Sequence, residues 1–339
     1  MLPLEGCNVL ELALWRPGPY AGRLLADLGA DVIKVEPPAG DPIRSYPALF
    51  EQDAAGKRSI ALNLKDDADR AVVLDLARDA HVVLEGFRPG VADRLGVGPD
   101  QLRAVQPALV YVSVSGFGAT GPLRDVPGHD VNYMGWAGGL RGGEEAGLAV
   151  GDLSSGMAAA LAAVAGYTRA LRTGEGAFVD IGMTDVLAQW SGLPSAGGGG
   201  SAKPPSYGVF ATSDGRLTIG VTAEDPFWRA LCGVLGLDDV ALLGFAERLA
   251  RADELRPRLV DAVAGWAVAD LLDALRRADV PAGPVNDPAA MAAEPHFRER
   301  GVVIDGRAFG PLVRFPGART DAPPAPALDE HRGARFRRS

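Results

Sequence analysis

The chain has 339 residues, 47% of them hydrophobic, and its 43 acidic residues against 34 basic ones give a formal net charge of −9. This length predicts a large buried core divided between two domains. The charges form no long blocks of one sign, so composition excludes a general nucleic-acid-binding surface, and an anionic ligand would need a local basic site.

The two cysteines and the lengths of the apolar runs indicate where in the cell the protein is expected. Cys7 and Cys232 are isolated, without C-x-x-C spacing or metal-ligand companions, so we expect neither a disulfide framework nor a zinc site. Residues 1–6 carry Glu5 and no basic region, which is unlike a secretory signal. The longest apolar run, Met157 to Gly166, is shorter than the ~20 residues that span a bilayer. We therefore expect a cytoplasmic protein with no membrane segment.

The first part of the chain alternates strand and helix patterns. The predicted strands are Asn8 to Ala13, Asp31 to Glu36, His81 to Glu85 and Leu109 to Val114. The predicted helices are Tyr20 to Leu28, Ala68 to Arg78 and Pro99 to Val105. This order predicts an α/β fold, with a Rossmann-like parallel sheet covered by helices on both faces.

Ligands of such sheets bind beyond the carboxyl ends of the strands, so the loops at Trp15–Pro19, Gly86–Gly90 and Ser115–Gly121 are candidate binding loops. The last loop contains a G-x-G-x-x-G match. Pro122 and Pro127 follow it where a dinucleotide fingerprint needs a helix, so we reject a dinucleotide site.

The composition changes near Gln189 and predicts a second, smaller α+β domain. The predicted domains are a large Rossmann-like domain at 1–188 completed by 300–339, a Gly-rich linker or lid at 189–206, a small domain at 207–285 and a return linker at 286–299. The small domain begins with a predicted hairpin around Asp214-Gly215. Helices follow at Asp225 to Leu235, Arg248 to Ala264 and Val268 to Ala278. The tail should pack back on the large domain through a strand-like Pro311 to Phe315.

The segment from Gly128 to Gly156 brings a histidine and a carboxylate together. Of the four histidines, His81 is expected to be structural, and His296 and His331 to lie on the surface, which leaves His129. An unperturbed imidazole titrates near neutrality and suits proton transfer. Asp152 precedes an Ala-rich helix predicted at Met157 to Leu171. It is therefore either a helix N-cap or the wall of a substrate site at a helix N-terminus.

Other reaction classes lack their motifs. The chain has no G-x-S-x-G, no G-x-x-x-x-G-K-[ST] and no H-E-x-x-H, which argues against hydrolase, NTPase and metalloprotease functions. Two arginines in predicted loops, Arg88 and Arg94, could hold phosphates or simply be solvated.

Several ordered segments resemble the family III CoA-transferase (CaiB/BaiF) superfamily, and within it the α-methylacyl-CoA racemases most. The likeness covers nearly the whole chain. It rests on the segments Leu4 to Leu12, Leu28 to Pro37, Lys57 to Lys65, Glu85 to Gly90, Ser115 to Pro122, Gly128 to Tyr133 and Val150 to Asp152. The racemase-like members resemble Gly128-His129-Asp130-x-Asn132-Tyr133 closely, whereas formyl-CoA-type transferases generally lack that histidine.

The resemblance implies roles for these residues. Asp152 would be the nucleophile of a transferase or an acid/base group of a racemase, and Glu224 of the second domain would support His129. The CoA site would involve Arg94, Phe87, Lys65, Tyr133 and Pro17 with the rest of the Trp15–Pro19 loop; several relatives have an Arg where this chain has Pro37. An interlocked homodimer is implied, with Glu224 in the site that the partner completes.

The main hypothesis is a 1,1-proton transfer at the α-carbon of a 2-methylacyl-CoA thioester. His129 and Asp152 would act on opposite faces, and N–H groups at the start of the helix would stabilise the enolate. No metal or redox cofactor is expected, since CoA is part of the substrate. Two alternatives stay open: a CoA transferase working through an Asp152 thioester, and a non-catalytic acyl-CoA-binding protein.

Overall fold

The computed structural model describes residues 1–140, 147–192, 203–304, 308–317, 321 and 323–337. The chain divides into two compact units. The large unit comprises Met1–Leu193 with Pro295–Ser339, and the small unit comprises Pro194–Glu294. The predicted glycine run at 197–200 lies outside the described residues.

A parallel sheet of six strands forms the centre of the large unit, in the order β3-β2-β1-β4-β5-β6. The strands are β1 Asn8–Leu12, β2 Asp31–Glu36, β3 Arg58–Ala61, β4 Val82–Glu85, β5 Val110–Ser115 and β6 Ala177–Gly182. This is the strand order of a doubly wound Rossmann-like fold, so the α/β prediction is confirmed. Successive strands are added toward one edge of the sheet up to β3 and toward the other edge from β4 onward. Ligands of such folds bind at this change of direction, between β1 and β4.

Helices cover both faces of this sheet. They are α1 Pro17–Asp27, α2 Pro47–Ala54, α3 Asp67–Asp79, α4 Val91–Arg94, α5 Pro99–Val105, α6 Asp130–Trp136, α7 Val150–Thr173 and α8 Met183–Ser191. Helix α1 begins three residues before the predicted Tyr20, so Pro17 to Pro19 is not loop but the first helical turn. Proline suits that turn because its missing N–H has no helical partner there.

Alternate strand residues supply two separate cores. Val9, Val32 and Val112 pack with α1 and α7 on one face. Leu10, Ile33 and Tyr111 pack with α3 and α5 on the other. Helix α7 approaches the sheet closely because its buried positions are small; a Cβ on Gly166 would come within 2.5 Å of Val110 Cγ1. Burial of both faces explains why apolar residues occur at both alternating sets of positions along these strands.

The small unit combines an antiparallel sheet with helices. Its strands are β7 Tyr207–Ala211, β8 Arg216–Gly220 and β9 Ala282–Pro284. Its helices are α9 Asp225–Leu235, α10 Phe245–Ala250, α11 Ala252–Ala264, α12 Val268–Arg277 and α13 Pro288–Ala293. The helix predicted at Arg248 to Ala264 is interrupted at Arg251 and forms two helices. Trp228 is fully buried in this core, and its Nε1 donates to the Val240 carbonyl at 2.9 Å.

The last part of the chain belongs to the large unit and corrects two predictions. It contains α14 Pro295–Glu299, β10 Val303–Ile304 and β11 Ala308–Phe309, whereas the predicted strand at Pro311 to Phe315 is absent. His331 was expected on the surface but is half-buried beside β3: its N–H donates to the Ser59 carbonyl at 2.9 Å. Within the described ranges, no helix is both long enough and apolar enough to cross a bilayer.

Candidate active site

The loop between β1 and α1 is held in an unusual conformation. Trp15 has φ +63°, in the left-handed region that non-glycine residues rarely adopt. Its N–H donates to Asp41 Oδ1 at 3.1 Å. The next residue, Arg16, forms an ion pair with the buried Asp53 at 3.1 Å. Such strain persists only where surrounding contacts hold it, and it is concentrated at functional sites.

Asp152 is not the N-cap of its helix, as one interpretation of the sequence had it. Helix α7 begins at Val150 with Ala149 as N-cap, so Asp152 lies in the first turn. Its N–H donates to Asp130 Oδ1 at 2.9 Å. This N–H is therefore not available to stabilise an enolate, so the proton-transfer hypothesis loses the Asp152 N–H among the donors expected at the start of the helix.

Two glycines flanking Asp152 allow close approach of neighbouring elements. A Cβ on Gly151 would come within 2.8 Å of Asp130 Oδ1, and one on Gly156 within 2.7 Å of the Pro17 carbonyl oxygen. Gly156 lies one helical turn after Asp152 and so on the same face of α7. The first turn of α1 thus packs against α7 one helical turn from Asp152.

His129 is the N-cap of α6, and its backbone N–H donates to Asn132 Oδ1 at 3.0 Å. Its imidazole is exposed and meets the Trp15 ring edge-on, with ring centroids 6.1 Å apart. The Tyr133 hydroxyl donates to the Gly128 carbonyl at 2.5 Å, which closes the turn that carries His129. The histidine is thereby fixed through its backbone while its ring faces open space.

One cavity of about 310 Å³ brings the predicted catalytic pair together, since both His129 and Asp152 line it. Four residues predicted to bind CoA or phosphates line the same cavity: Pro17, Phe87, Arg88 and Tyr133. It lies at the carboxyl ends of β1, β4 and β5, the position expected for this strand order.

The Asp152 carboxyl group is electrostatically unusual. Burial, and after it the neighbouring Asp130 carboxylate, raises the pKa of Asp152 to about 7, although Arg16 offsets part of the shift. Burial also raises the pKa of Glu85, at the carboxyl end of β4, to about 7. A carboxyl group that titrates near neutrality can both gain and lose a proton under ordinary conditions.

A second cavity of about 170 Å³ adjoins the first, because Leu14 and Phe87 line both. Its other walls include Pro37, Leu64 and the predicted Lys65, so it is mainly apolar with a cation at the rim. Pro37 contributes no charge, which makes Lys65 the basic group of this cavity. An aromatic base with a phosphate nearby has the matching chemistry.

Arg94 lines neither cavity; it is exposed at the end of α4. Its guanidinium nevertheless lies close to that of Arg124, since both are 3.4 Å from the position of a Cβ built on Gly90. Arg124, which the sequence analysis missed, lines the cavity that His129 and Asp152 share and is fixed by a 2.9 Å hydrogen bond from Nε to the Ala119 carbonyl. Its position in the loop after the glycine motif, between Pro122 and Pro127, could have indicated a residue that binds a ligand.

Glu224 lies in the small unit as the N-cap of α9. Its carboxylate accepts hydrogen bonds from the Thr222 N–H at 3.0 Å and the Thr222 hydroxyl at 2.8 Å. These bonds, together with its own backbone N–H, lower the pKa of Glu224. They give it a local structural role, and its partnership with His129 stays a prediction.

Comparisons with known proteins agree on one family. The model of CoA-transferase family III matches residues 4–332. A succinate–glutarate CoA-transferase of Agrobacterium fabrum is 35% identical over 97% of this chain and 94% of its own length. An acetyl-CoA:oxalate CoA-transferase of Acetobacter aceti is 34% identical over 99% and 95%. The crystal structure of a CaiB/BaiF family protein from Brucella suis superposes with a TM-score of 0.84 at 32% identity, covering 97% of both chains.

Proposed function

Because the chain belongs to CoA-transferase family III, we propose that it transfers CoA between two carboxylic acids with Asp152 as the nucleophile. The observation that carries this proposal is the position of Asp152: its carboxylate lines a cavity at the carboxyl ends of the strands, and arginines lie on the same cavity wall. The named relatives above are transferases, so the α-methylacyl-CoA racemase activity becomes the second candidate rather than the first.

The transfer proceeds by exchange of acyl bonds at Asp152. A carboxylate oxygen attacks the thioester carbonyl of the donor, the C–S bond breaks, and CoA thiolate leaves as a mixed anhydride forms. The thiolate then attacks the Asp152 carbonyl, releasing the donor acid and leaving an aspartyl-CoA thioester. The acceptor carboxylate attacks this thioester in turn, and thiolate attack on the new anhydride gives the product acyl-CoA and restores Asp152.

The two adjoining cavities fit the two ends of an acyl-CoA. We place the nucleotide at the apolar cavity that Lys65 borders, and the thioester at Asp152, with Phe87 at the junction. Arg88 and Arg124 supply positive charge at the catalytic cavity in a chain of net charge −9. Guanidinium groups bind phosphates and carboxylates with paired hydrogen bonds.

Short dicarboxylic acids are the proposed substrates. The relatives are named for succinate with glutarate and for oxalate. A dicarboxylate presents one carboxylate to Asp152 and needs a cation for the other, which an arginine of the cavity wall provides.

The test is trapping of the enzyme-bound acyl group. Purified protein is incubated with succinyl-CoA and then hydroxylamine, and the modified peptide is located by mass spectrometry. We expect a hydroxamate at Asp152 and CoA transfer to glutarate or oxalate. Asp152→Asn should lose both, with a decrease in kcat of at least about 1,000-fold. Full transfer by Asp152→Asn would overturn the proposal.

One observation favours the second candidate, proton transfer at the α-carbon of a 2-methylacyl-CoA. His129 and Asp152 share one cavity, and the pKa of Asp152 near 7 suits reversible protonation. Incubation of 2-methylacyl-CoA in deuterated water without an acceptor acid distinguishes the candidates. Deuterium at the α-carbon supports the isomerase, and thioester exchange that requires an acceptor supports the transferase.

We also propose that two chains associate. Helix α7 carries an apolar stripe on its outer side, where Met157, Leu161 and Leu171 are 45%, 71% and 68% exposed. Trp190 of α8 is 62% exposed as well. Large exposed apolar surfaces of this kind mark contact sites. Light scattering should give twice the monomer mass, and Leu161→Lys should reduce it.

A further inference from the structure

A network of charged side chains lies beneath the segment from Ala13 to Pro19, which joins β1 to α1. The network takes no part in the proposed chemistry. Its members are Glu11, Lys34, Asp41 and Lys57, whose exposed fractions are 0%, 0%, 2% and 4%. Glu11 of β1 and Lys34 of β2 are partners in the parallel register. Removing these charges from water costs several kcal/mol for each ion, so such a network is weak evidence for a role in stability.

Glu11 connects the two lysines. Its Oε1 lies 3.0 Å from Lys34 Nζ, and its Oε2 lies 2.7 Å from Lys57 Nζ. Lys34 Nζ also lies 2.8 Å from Asp41 Oδ2. Two carboxylates thus face two ammonium groups, and the network is balanced in charge.

Three side chains of the network form hydrogen bonds with the backbone of this segment. Lys34 Nζ donates to the Ala13 carbonyl at 2.8 Å, and Lys57 Nζ donates to the Pro19 carbonyl at 2.7 Å. Asp41 accepts the N–H of the strained Trp15 at 3.1 Å. Three contacts therefore fix the start, the middle and the end of the segment from Ala13 to Pro19.

The helix beside the network is shaped to admit it. A Cβ on Gly22 of α1 would come within 2.0 Å of Glu11 Oε2 and 3.0 Å of Lys57 Nζ. A Cβ on Gly18 would come within 2.2 Å of Ala13 Cβ. Glycine at these positions lets α1 pack directly on the Glu11–Lys57 ion pair and on Ala13.

The fixed segment in turn contacts His129 and the part of α7 that carries Asp152. The Trp15 ring meets the His129 ring, and the Pro17 carbonyl packs against Gly156, one turn along α7 from Asp152. We propose that the buried network is a positioning device, with Glu11 as its central positioning residue, that holds the Trp15–Pro19 segment against His129 and α7. The kinetic part of this inference rests on the proposed role of Asp152.

A charge-balanced double variant tests the proposal. Glu11→Gln with Lys57→Met removes one carboxylate and one ammonium group, keeps the Lys34–Asp41 pair, and releases the Pro19 carbonyl. A matched control is Asp31→Asn with Arg58→Met, which removes a partly buried ion pair between the first residues of β2 and β3, at the amino ends of the strands and away from their carboxyl ends, where the cavity lies.

The first readout is hydrogen–deuterium exchange, which does not depend on activity. We expect the peptide covering residues 13–20 to exchange at least tenfold faster in the network variant and unchanged in the control. The second readout is kinetic: kcat for CoA transfer should fall at least tenfold, with KM for acyl-CoA within about twofold. Even if Tm falls equally in both variants, only the network variant should show faster exchange of residues 13–20 and a lower kcat.

Unchanged exchange of residues 13–20 in the folded network variant would overturn the proposal, as would a loss of kcat no greater than in the control. If the double variant does not fold, Asp41→Asn, which alters one group by a single atom, is measured in the same two ways. A wild-type protein without transferase activity would refute the proposed function, while the exchange measurement would still decide on the network.

Discussion

Asp130 and Asp152 are joined by a hydrogen bond from the backbone of one to the side chain of the other: the Asp152 N–H donates to Asp130 Oδ1 at 2.9 Å. One carboxylate thus holds the first turn of α7 and at the same time places a negative charge beside the Asp152 carboxyl group. Burial and this charge both raise the pKa of Asp152, which reaches about 7. Structure and acidity at this site are therefore coupled through Asp130.

Asp130→Asn should separate the two effects. The amide oxygen can still accept the Asp152 N–H, but the negative charge is gone, so Asp152 should ionise at a lower pH. We expect the acid limb of kcat/KM for transfer to move down by roughly 0.5 to 1 pH unit. The measurement is a pH profile between pH 5 and pH 9. Asp66→Asn is the matched control, because Asp66 caps α3 in the same way but lies outside both cavities.

Asp152→Asn should stabilise the protein in alkaline solution. The folded-state pKa of Asp152 is raised from 3.8 to about 7. Its contribution to stability is therefore fully present below pH 3.8, declines as the pH rises, and is lost above about pH 7. A neutral amide avoids this loss, so the variant should gain roughly 1 to 3 kcal/mol at pH 8 and little at pH 4. Urea unfolding at both pH values measures it, and an equal gain at pH 4 would contradict the electrostatic cause.

The sequence predicted much of the sheet and less of its loops. The apolar runs of β1, β2 and β5 are buried on both faces, so the hydrophobic pattern was sufficient to find them. Strand β3 was missed because its four residues, Arg58 to Ala61, are half polar. Its Ser59 and the neighbouring Lys34 are fully buried polar residues, and a hydrogen bond and ion pairs satisfy them. A search for hydrophobic patterns does not find strands of this kind.

The sequence predicted several residues of the cavity but missed Arg124, and it did not predict how these residues are arranged. His129 and Asp152 were recognisable from glycines and from family resemblance, and the structure places both on one cavity. The hydrogen bond from Asp152 to Asp130 joins residues 22 positions apart, and the contact from Trp15 to His129 depends on a strained φ. Such relationships arise from packing between distant elements, so one sequence without its fold does not specify them.

His129→Gln distinguishes the two candidate reactions. In the transferase mechanism the imidazole makes and breaks no bond, so kcat for CoA transfer should stay within about tenfold of the wild type. In the isomerase mechanism it carries a proton, so α-deuterium uptake should fall at least about 100-fold. The N-cap contact to Asn132 uses the backbone and should survive. His296→Gln is the control, since His296 is exposed in α14; a transfer loss as large as that of Asp152→Asn would assign His129 to the transfer chemistry.

Arg124→Gln should weaken substrate binding more than it slows turnover. Arg124 lines the cavity that His129 and Asp152 share, and its guanidinium lies near that of Arg94 beside Gly90. Arg124 Nη1 already pairs with the exposed Asp125 at 3.2 Å, but its Nη2 faces Arg94. A phosphate or carboxylate bound between the two guanidinium groups would relieve their remaining repulsion. We expect KM for acyl-CoA or for the acceptor acid to rise roughly tenfold, corresponding to about 1.4 kcal/mol, with kcat within threefold.

Which of the two KM values rises identifies the group that Arg124 binds. A rise for acyl-CoA alone assigns it to the CoA phosphates, and a rise for the acceptor alone assigns it to the second carboxylate of a dicarboxylic acid. The effect should diminish at high salt, because a charge pair at a partly exposed site is screened. Arg78→Gln is the matched control, since Arg78 is an exposed arginine on α3 that lines neither of these two cavities. Equal changes in both variants would show that net charge alone, rather than the position of Arg124, governs binding.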